Sequence, residues 1–287
     1  MLDQATNFTT HGGQPPAKQG RMQRMVGRGA VGLAMRGARP TLTDLHQSGS
    51  AKVFLPRVHR DVPELVFLNT AGGVTGGDHL CYDMKIGTGV AAMATTQTAE
   101  RAYRSTGEVG RVDVSISVGE AGTLSWLPQE TILFEGSNLG RRTTVELASD
   151  ACFLMAESVV LGRAAMGETI ESLSFSDWRE VRRCGAPVWV DPFAICQKVI
   201  DGSESAVTLA SARAFATIAL IEQGAEDAAE RFRSVIESFD GVVAAVSGWN
   251  GKCIIRMRAT DAWPLRRAVA QLLKIARQGS LPRVWQE

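Results

Sequence analysis

Between about Gly29 and Pro192 apolar and polar residues alternate with a period of two. The alternation is cleanest where Val112, Val114, Ile116 and Val118 interleave with Asp113, Ser115 and Ser117. A chain that alternates in this way keeps one face in a core and the other in water, which predicts strands. Shorter runs of the same kind fall at residues 124–126, 131–134, 144–147, 152–155 and 188–190, separated by Gly119, Gly122, Gly136, Gly140, Gly162 and Gly185. Strands this short, divided this regularly by turn residues, predict a mainly β body, either stacked and solenoid-like or sandwich-like.

The period changes in the last third of the chain. Over residues 225–239, Ala228, Phe232, Val235, Ile236 and Phe239 recur at helical spacing, and Gly241 follows as a terminator. A second helix is expected after Thr260 or Asp261 as N-cap, with Pro264 in its first turn. It carries Leu265, Ala268, Val269, Leu272 and Leu273 on one face and stops at Gly279. Residues 242–246 and 253–257 read as strands between the two. The expected organisation is therefore a flexible leader (1–25), a β-rich body (26–204) and an α/β C-terminal region with two helices (205–287). That region should pack on the body as part of one continuous domain, with a soft boundary at residues 201–205.

Composition narrows the function classes. The 31 basic and 30 acidic side chains leave a net charge of +1, too little field to gather a polyanion, so nucleic acid is excluded as a partner. Cys81, Cys152, Cys184, Cys196 and Cys253 are odd in number and contain no Cys-x-x-Cys pair, which argues against a disulfide framework or a closed zinc site and for a reducing compartment. The polar first twenty-five residues do not have the form of a secretory signal, and no apolar run is long enough to span a membrane. A cytoplasmic protein without a membrane partner is expected.

Candidate chemistry begins with the glycine-rich loop at residues 71–78, where Gly72 and Gly77 stand at the spacing of a phosphate-binding loop. Such a loop continues with Lys and Ser or Thr and opens a helix; here Asp78 and His79 follow, and Leu80, Tyr82, Met84 and Ile86 alternate as a strand. The loop is read as a tight strand–turn–strand connection. His46, His59 and His79, with Asp61, Asp78 and Asp83 nearby, show no established ligand spacing, so no stable metal site is predicted. No Gly-x-Ser-x-Gly elbow is present. Glu130, Glu135, Glu157 and Glu168 could supply paired carboxylates for glycoside hydrolysis, but surface or salt-bridged glutamates are the commoner situation. A non-enzymatic binding protein is the expectation.

Five phrases, taken in order, are similar to a known family. They are Gly72-Gly-Val-Thr-Gly-Gly-Asp78, Thr95-Thr-Gln-Thr-Ala-Glu-Arg-Ala-Tyr-Arg104, Trp126-Leu-Pro-Gln-Glu-Thr-Ile132, Leu161-Gly-Arg163 with Gly167-Glu168, and Leu281-Pro-Arg-Val-Trp285. The chain resembles the urease accessory protein UreD, called UreH in some organisms. His79 departs from the basic Arg frequent in the family, and Glu100-Arg101 from a small residue and Lys. The resemblance implies a cytoplasmic, non-catalytic protein that forms a complex with UreF and the GTPase UreG and docks on the apo-urease subunits. It further implies GTP-dependent nickel insertion, with no tightly bound cofactor and nickel only in transit. A route for a transient ion needs scattered carboxylates and carbonyls instead of fixed imidazoles or thiolates. Asp78, Glu130, Glu135, Arg163 and Glu168, the ionisable members of these phrases, are expected to line or support it.

Overall fold

The alternating residues form strands along the body, and a computed structural model describes residues 23–56, 62–277 and 280–286. In chain order the strands are β1 (Val26–Arg36), β2 (Arg39–Gly49), β3 (Ala51–Phe54), β4 (Glu64–Asn69), β5 (His79–Ile86), β6 (Ala91–Thr96), β7 (Glu100–Ala102), β8 (Gly110–Val118), β9 (Thr123–Trp126), β10 (Thr131–Leu133), β11 (Asn138–Leu147), β12 (Cys152–Leu161), β13 (Ser174–Arg183), β14 (Ala186–Ile195), β15 (Ala214–Ile221), β16 (Val242–Trp249) and β17 (Lys252–Ala259). The helices are α1 (Gln197–Asp201), α2 (Ala228–Ile236) and α3 (Ala262–Arg277). Most of the expected leader, together with His59, Asp61 and Gly279, lies outside the described residues.

Two sheets face each other. The first runs β14-β13-β11-β8-β5-β1-β2 and the second β16-β17-β15-β12-β9-β6-β4-β3, with β10 joining β12 to β7. From β4 to β13 the chain passes back and forth between them, and the strands it leaves side by side in each sheet are parallel. The body is thus a stack of coils, the solenoid-like alternative. The inward residues of neighbouring coils line up in rows, for example Met84, Ile116, Val145 and Val181. Those rows fill the main core.

The second sheet buries both faces. Its far side, carrying Leu154, Ala156, Ile218, Leu220, Cys253 and Ile255, is covered by Phe232 of α2 and by Leu265, Val269, Leu272 and Leu273 of α3. Each such large side chain contributes about 1.5–3 kcal/mol when fully buried. The sheet is continuous from β12 through β15 and β17 to β16. The two long helices match their expected faces. Asp261 caps α3, its Oδ1 accepting from the Trp263 N–H at 2.7 Å. The segment at 225–239 begins with a 3-10 turn, and its α-helix stops at Ile236. Ser234 and Ser238 each bond back to a carbonyl three residues earlier, which offers the backbone an alternative to further helix.

The glycine loop turns the corner from β4 to β5. Gly72 and Gly77 have φ of +77° and +84°, which only glycine adopts freely. Asp78 is buried inside the turn, where one carboxylate oxygen accepts from the Thr75 N–H at 2.9 Å and the other from the Met25 N–H at 2.8 Å. Strand β5 follows at once, as the rejection of a phosphate loop required.

Candidate functional site

The inward rows change character across the first sheet. Leu80 and Val112 continue as Arg141 and Asp177; Tyr82 and Val114 continue as Thr143, Arg179 and Asp191. Charged residues here occupy positions that the alternation assigns to the core, with Leu139, Val145, Phe175 and Val181 above and below them. Opposite, the second sheet supplies the row Glu157, Thr217 and Arg256.

These groups form one network. Arg141 grips Asp177 with two parallel bonds, Nε to Oδ1 at 3.0 Å and Nη2 to Oδ2 at 2.6 Å, and also reaches Glu157 at 3.1 Å and the Thr131 hydroxyl at 3.1 Å. Arg179 lies 2.9 Å from Asp177 and 3.1 Å from Asp191, and Asp191 pairs with Arg256. Glu157 further accepts from the Thr143 hydroxyl at 3.1 Å and from the Trp126 indole at 3.4 Å. All of the ionic members except Arg256 are at least nine-tenths buried. Three guanidinium groups face three carboxylates, the balance a low-dielectric interior demands. Burial alone would raise the Asp177 carboxyl, but Arg141 and Arg179 outweigh it and hold it below the ordinary carboxylate range. The Arg141 guanidinium, disfavoured by the same burial, is held firmly charged by Asp177 and Glu157.

One side of the network borders a cavity. Glu157 Oε2, Arg179 Nε and Nη1, and Asp191 Oδ2 sit close to opposite charges without the alignment of a hydrogen bond. Glu157, Arg179 and Arg256 line a cavity of about 360 Å³ beneath Phe193, Phe215 and Ala245. It lies where β17 and β16 carry the second sheet past the edge of the first. A space of that size edged by charged side chains can hold water or a hydrated ion.

The five residues selected from the sequence lie elsewhere. Glu135, Arg163 and Glu168 come together at a coil corner. Both Glu168 oxygens accept from Arg163, at 3.0 and 3.3 Å from the guanidinium and 2.9 Å from the backbone N–H. Arg163 holds the Glu168 carboxyl below its usual range. Glu135 accepts from the Glu171 and Ser172 amides at 2.8 and 3.0 Å, and the Arg163 guanidinium stacks over Phe134. Across a groove of about 490 Å³ lined by Arg163, Met166, Trp263 and Trp285, Glu130 pairs with Arg266 of α3 at 3.1 Å. Asp78 stands apart, inside its turn. Two of the five, Glu130 and Arg163, therefore line one groove, Glu135 and Glu168 hold the corner that carries Arg163, and none of the five belongs to the buried network. Each carboxylate proposed for hydrolysis is held by a cation or by backbone amides, an arrangement that leaves no free acid–base pair among them.

His79 does not meet Asp78 or Asp83. The loop takes Asp78, and Asp83 pairs with Arg28 at 2.8 Å. His46 contacts Ser48 at 3.3 Å. Sequence reasoning missed Arg141, Asp177, Arg179 and Asp191; the available signal was a charge at an inward position of an alternating strand. None of the described helices is long and apolar enough to cross a membrane.

Fold and site together define a two-sheet coiled β stack, plated by helices on one face, with a paired ionic interior. A profile of the UreD urease accessory protein family matches residues 25–286. The chain is 52% identical to the urease accessory protein UreD of Cereibacter sphaeroides strain ATCC 17025, over 93% of this chain and 96% of that one. It is 46% identical to that of Paracoccus denitrificans, over 93% and 94%, and 46% identical to that of a Jannaschia species over the full length of both. The chain belongs to the UreD family of urease accessory proteins, and its role lies in urease maturation.

Proposed function

We propose that this protein assists nickel insertion into apo-urease by giving the ion a polar path through its interior while bound, in the cytoplasm, to UreF and UreG. UreG supplies the GTPase of the complex, consistent with a glycine loop here that binds its own Asp78 in place of a phosphate. The observation that carries the reading is the cavity at Glu157, Arg179 and Arg256, where the charged network borders a space large enough for a hydrated guest. Carboxylates already paired with arginines bind a divalent ion weakly, and weak binding suits passage better than storage. Asp78, Glu130, Glu135, Arg163 and Glu168 then serve as supports: Asp78 shapes a corner, Glu130 and Arg163 line the groove beside α3, and Glu135 and Glu168 hold the corner that carries Arg163.

The test is co-expression of urease with this protein and its partners, scored for co-purification with UreF, urease nickel content and urease activity. Substituting Glu130, Glu135, Arg163 or Glu168 by Ala should lower nickel-dependent activation with the complex intact. Normal activation by all four, together with normal activation by the Glu157→Gln variant, would sink the interior path. A bridging role alone predicts that outcome, with losses confined to variants of the outer surface.

A further inference from the structure

The outer face of the first sheet carries a second concentration of chemistry, separate from the ionic interior and the groove. Period-two geometry sets His79 and Cys81 on the same face of β5, and the parallel register places Asp113 of β8 directly beside Cys81. His79 Nε2 lies 2.6 Å from Asp113 Oδ2 and 3.2 Å from Cys81 Sγ, and the three ligand atoms are all within 4.8 Å of one another. Each side chain is half-buried: held by the sheet below and open to solvent above.

We propose that His79, Cys81 and Asp113 form a surface site for one divalent late first-row transition ion, of the class of nickel, cobalt, copper and zinc. Such ions take imidazole nitrogen at about 2.0–2.1 Å, thiolate sulfur at about 2.3 Å and carboxylate oxygen at about 2.0–2.2 Å. In a tetrahedron those lengths put the ligand atoms roughly 3–4 Å apart, so the observed triangle needs side-chain rotation and no backbone movement. One sulfur and one nitrogen among three ligands select against magnesium and calcium, which prefer oxygen. Three protein ligands leave a fourth position for water or an incoming donor, so the ion can exchange.

The surroundings temper the affinity. Arg28, the register neighbour of Cys81, is drawn aside by Asp83 at 2.8 Å, and Arg142, the register neighbour of Asp113, reaches toward Glu180 at 3.8 Å. Two arginines close by without filling the site disfavour permanent occupancy. Binding here requires neither urease nor the interior path, so its failure leaves the delivery reading intact.

Equilibrium dialysis of the untagged full chain against nickel or zinc, with magnesium as the hard-ion control, tests the assignment. One equivalent of nickel or zinc should bind that magnesium does not displace. Cys81→Ser, His79→Ala and Asp113→Asn should each weaken it by about tenfold or more. With cobalt as probe, the unaltered protein should show thiolate-to-metal charge-transfer absorption in the near ultraviolet, lost in Cys81→Ser. Equal binding by the parent and all three variants overturns the proposal. So does the absence of the cobalt–thiolate band from the parent, a result that no misfolded variant can confuse.

Discussion

Replacing Arg141 by Met keeps length and apolar bulk but removes the bidentate grip on Asp177, the contact with Glu157 and the bond to Thr131. Three carboxylates then face two guanidinium groups, one of them half-exposed. Breaking a buried pair from one side costs about 3–5 kcal/mol because the other charge is left without compensation. With total stabilities of about 5–15 kcal/mol, that is a third or more of what holds the domain. Urea unfolding followed by far-ultraviolet circular dichroism should place the midpoint of Arg141→Met lower by about 1 M or more. The sharper comparison is the double variant with Asp177→Asn, which again matches two carboxylates to two arginines. It should be more stable than Arg141→Met alone, although it carries one more change. Additive loss in the double variant, or a single variant within about 1 kcal/mol of the parent, would refute the account of a balanced ionic interior.

Three further outcomes follow from the same structure. In the glycine loop, a Cβ at Gly76 would lie 2.5 Å from the Glu108 carbonyl oxygen, whereas one at Gly72 meets open space but keeps φ at +77°. Gly72→Ala should cost about 1–2 kcal/mol from left-handed strain alone and Gly76→Ala more, as read by thermal melts. The Glu168 carboxyl is held below its usual range, so its contribution is fully present above pH 4.5, the ordinary glutamate value, and is lost as pH falls through the folded value. Glu168→Gln should therefore flatten the acid limb of a stability profile, and an unchanged limb would show that the ion pair is inert. Removing the α3 cap with Asp261→Ala should cost about 1 kcal/mol, measured by the same melts.

Much of this architecture is legible in the sequence. Alternation at Val112–Val118 locates β8 and its inward face, the residues after Asp78 identify a strand in place of a helix, and Thr260 or Asp261 with Pro264 brackets the start of α3, where the structure selects Asp261. What alternation does not carry is partnership. It extends from residues 144–147 back to an inward Arg141, but only the parallel register of β11 and β13 makes Asp177 its neighbour. The same holds for Cys81 and Asp113, 32 positions apart and adjacent only across β5 and β8. Glu157 was visible as a carboxylate, not as the partner of Arg141 from the opposite sheet. The family-like phrases, in turn, draw attention to Glu130, Arg163 and Glu168, while the charged members of the interior network lie outside those phrases, which reach it only through Trp126 and Thr131.

The interior path is tested most directly by closing it without altering a charge. Ala245 is exposed on the rim of the cavity above Glu157, Arg179 and Arg256, and lies opposite Arg256 in the β16–β17 register. Ala245→Trp fills that mouth and leaves the core untouched. Nickel content of urease matured with this variant, measured alongside UreF co-purification, should fall severalfold with the complex still assembled. Full nickel loading by an assembled complex whose cavity is plugged would contradict the path.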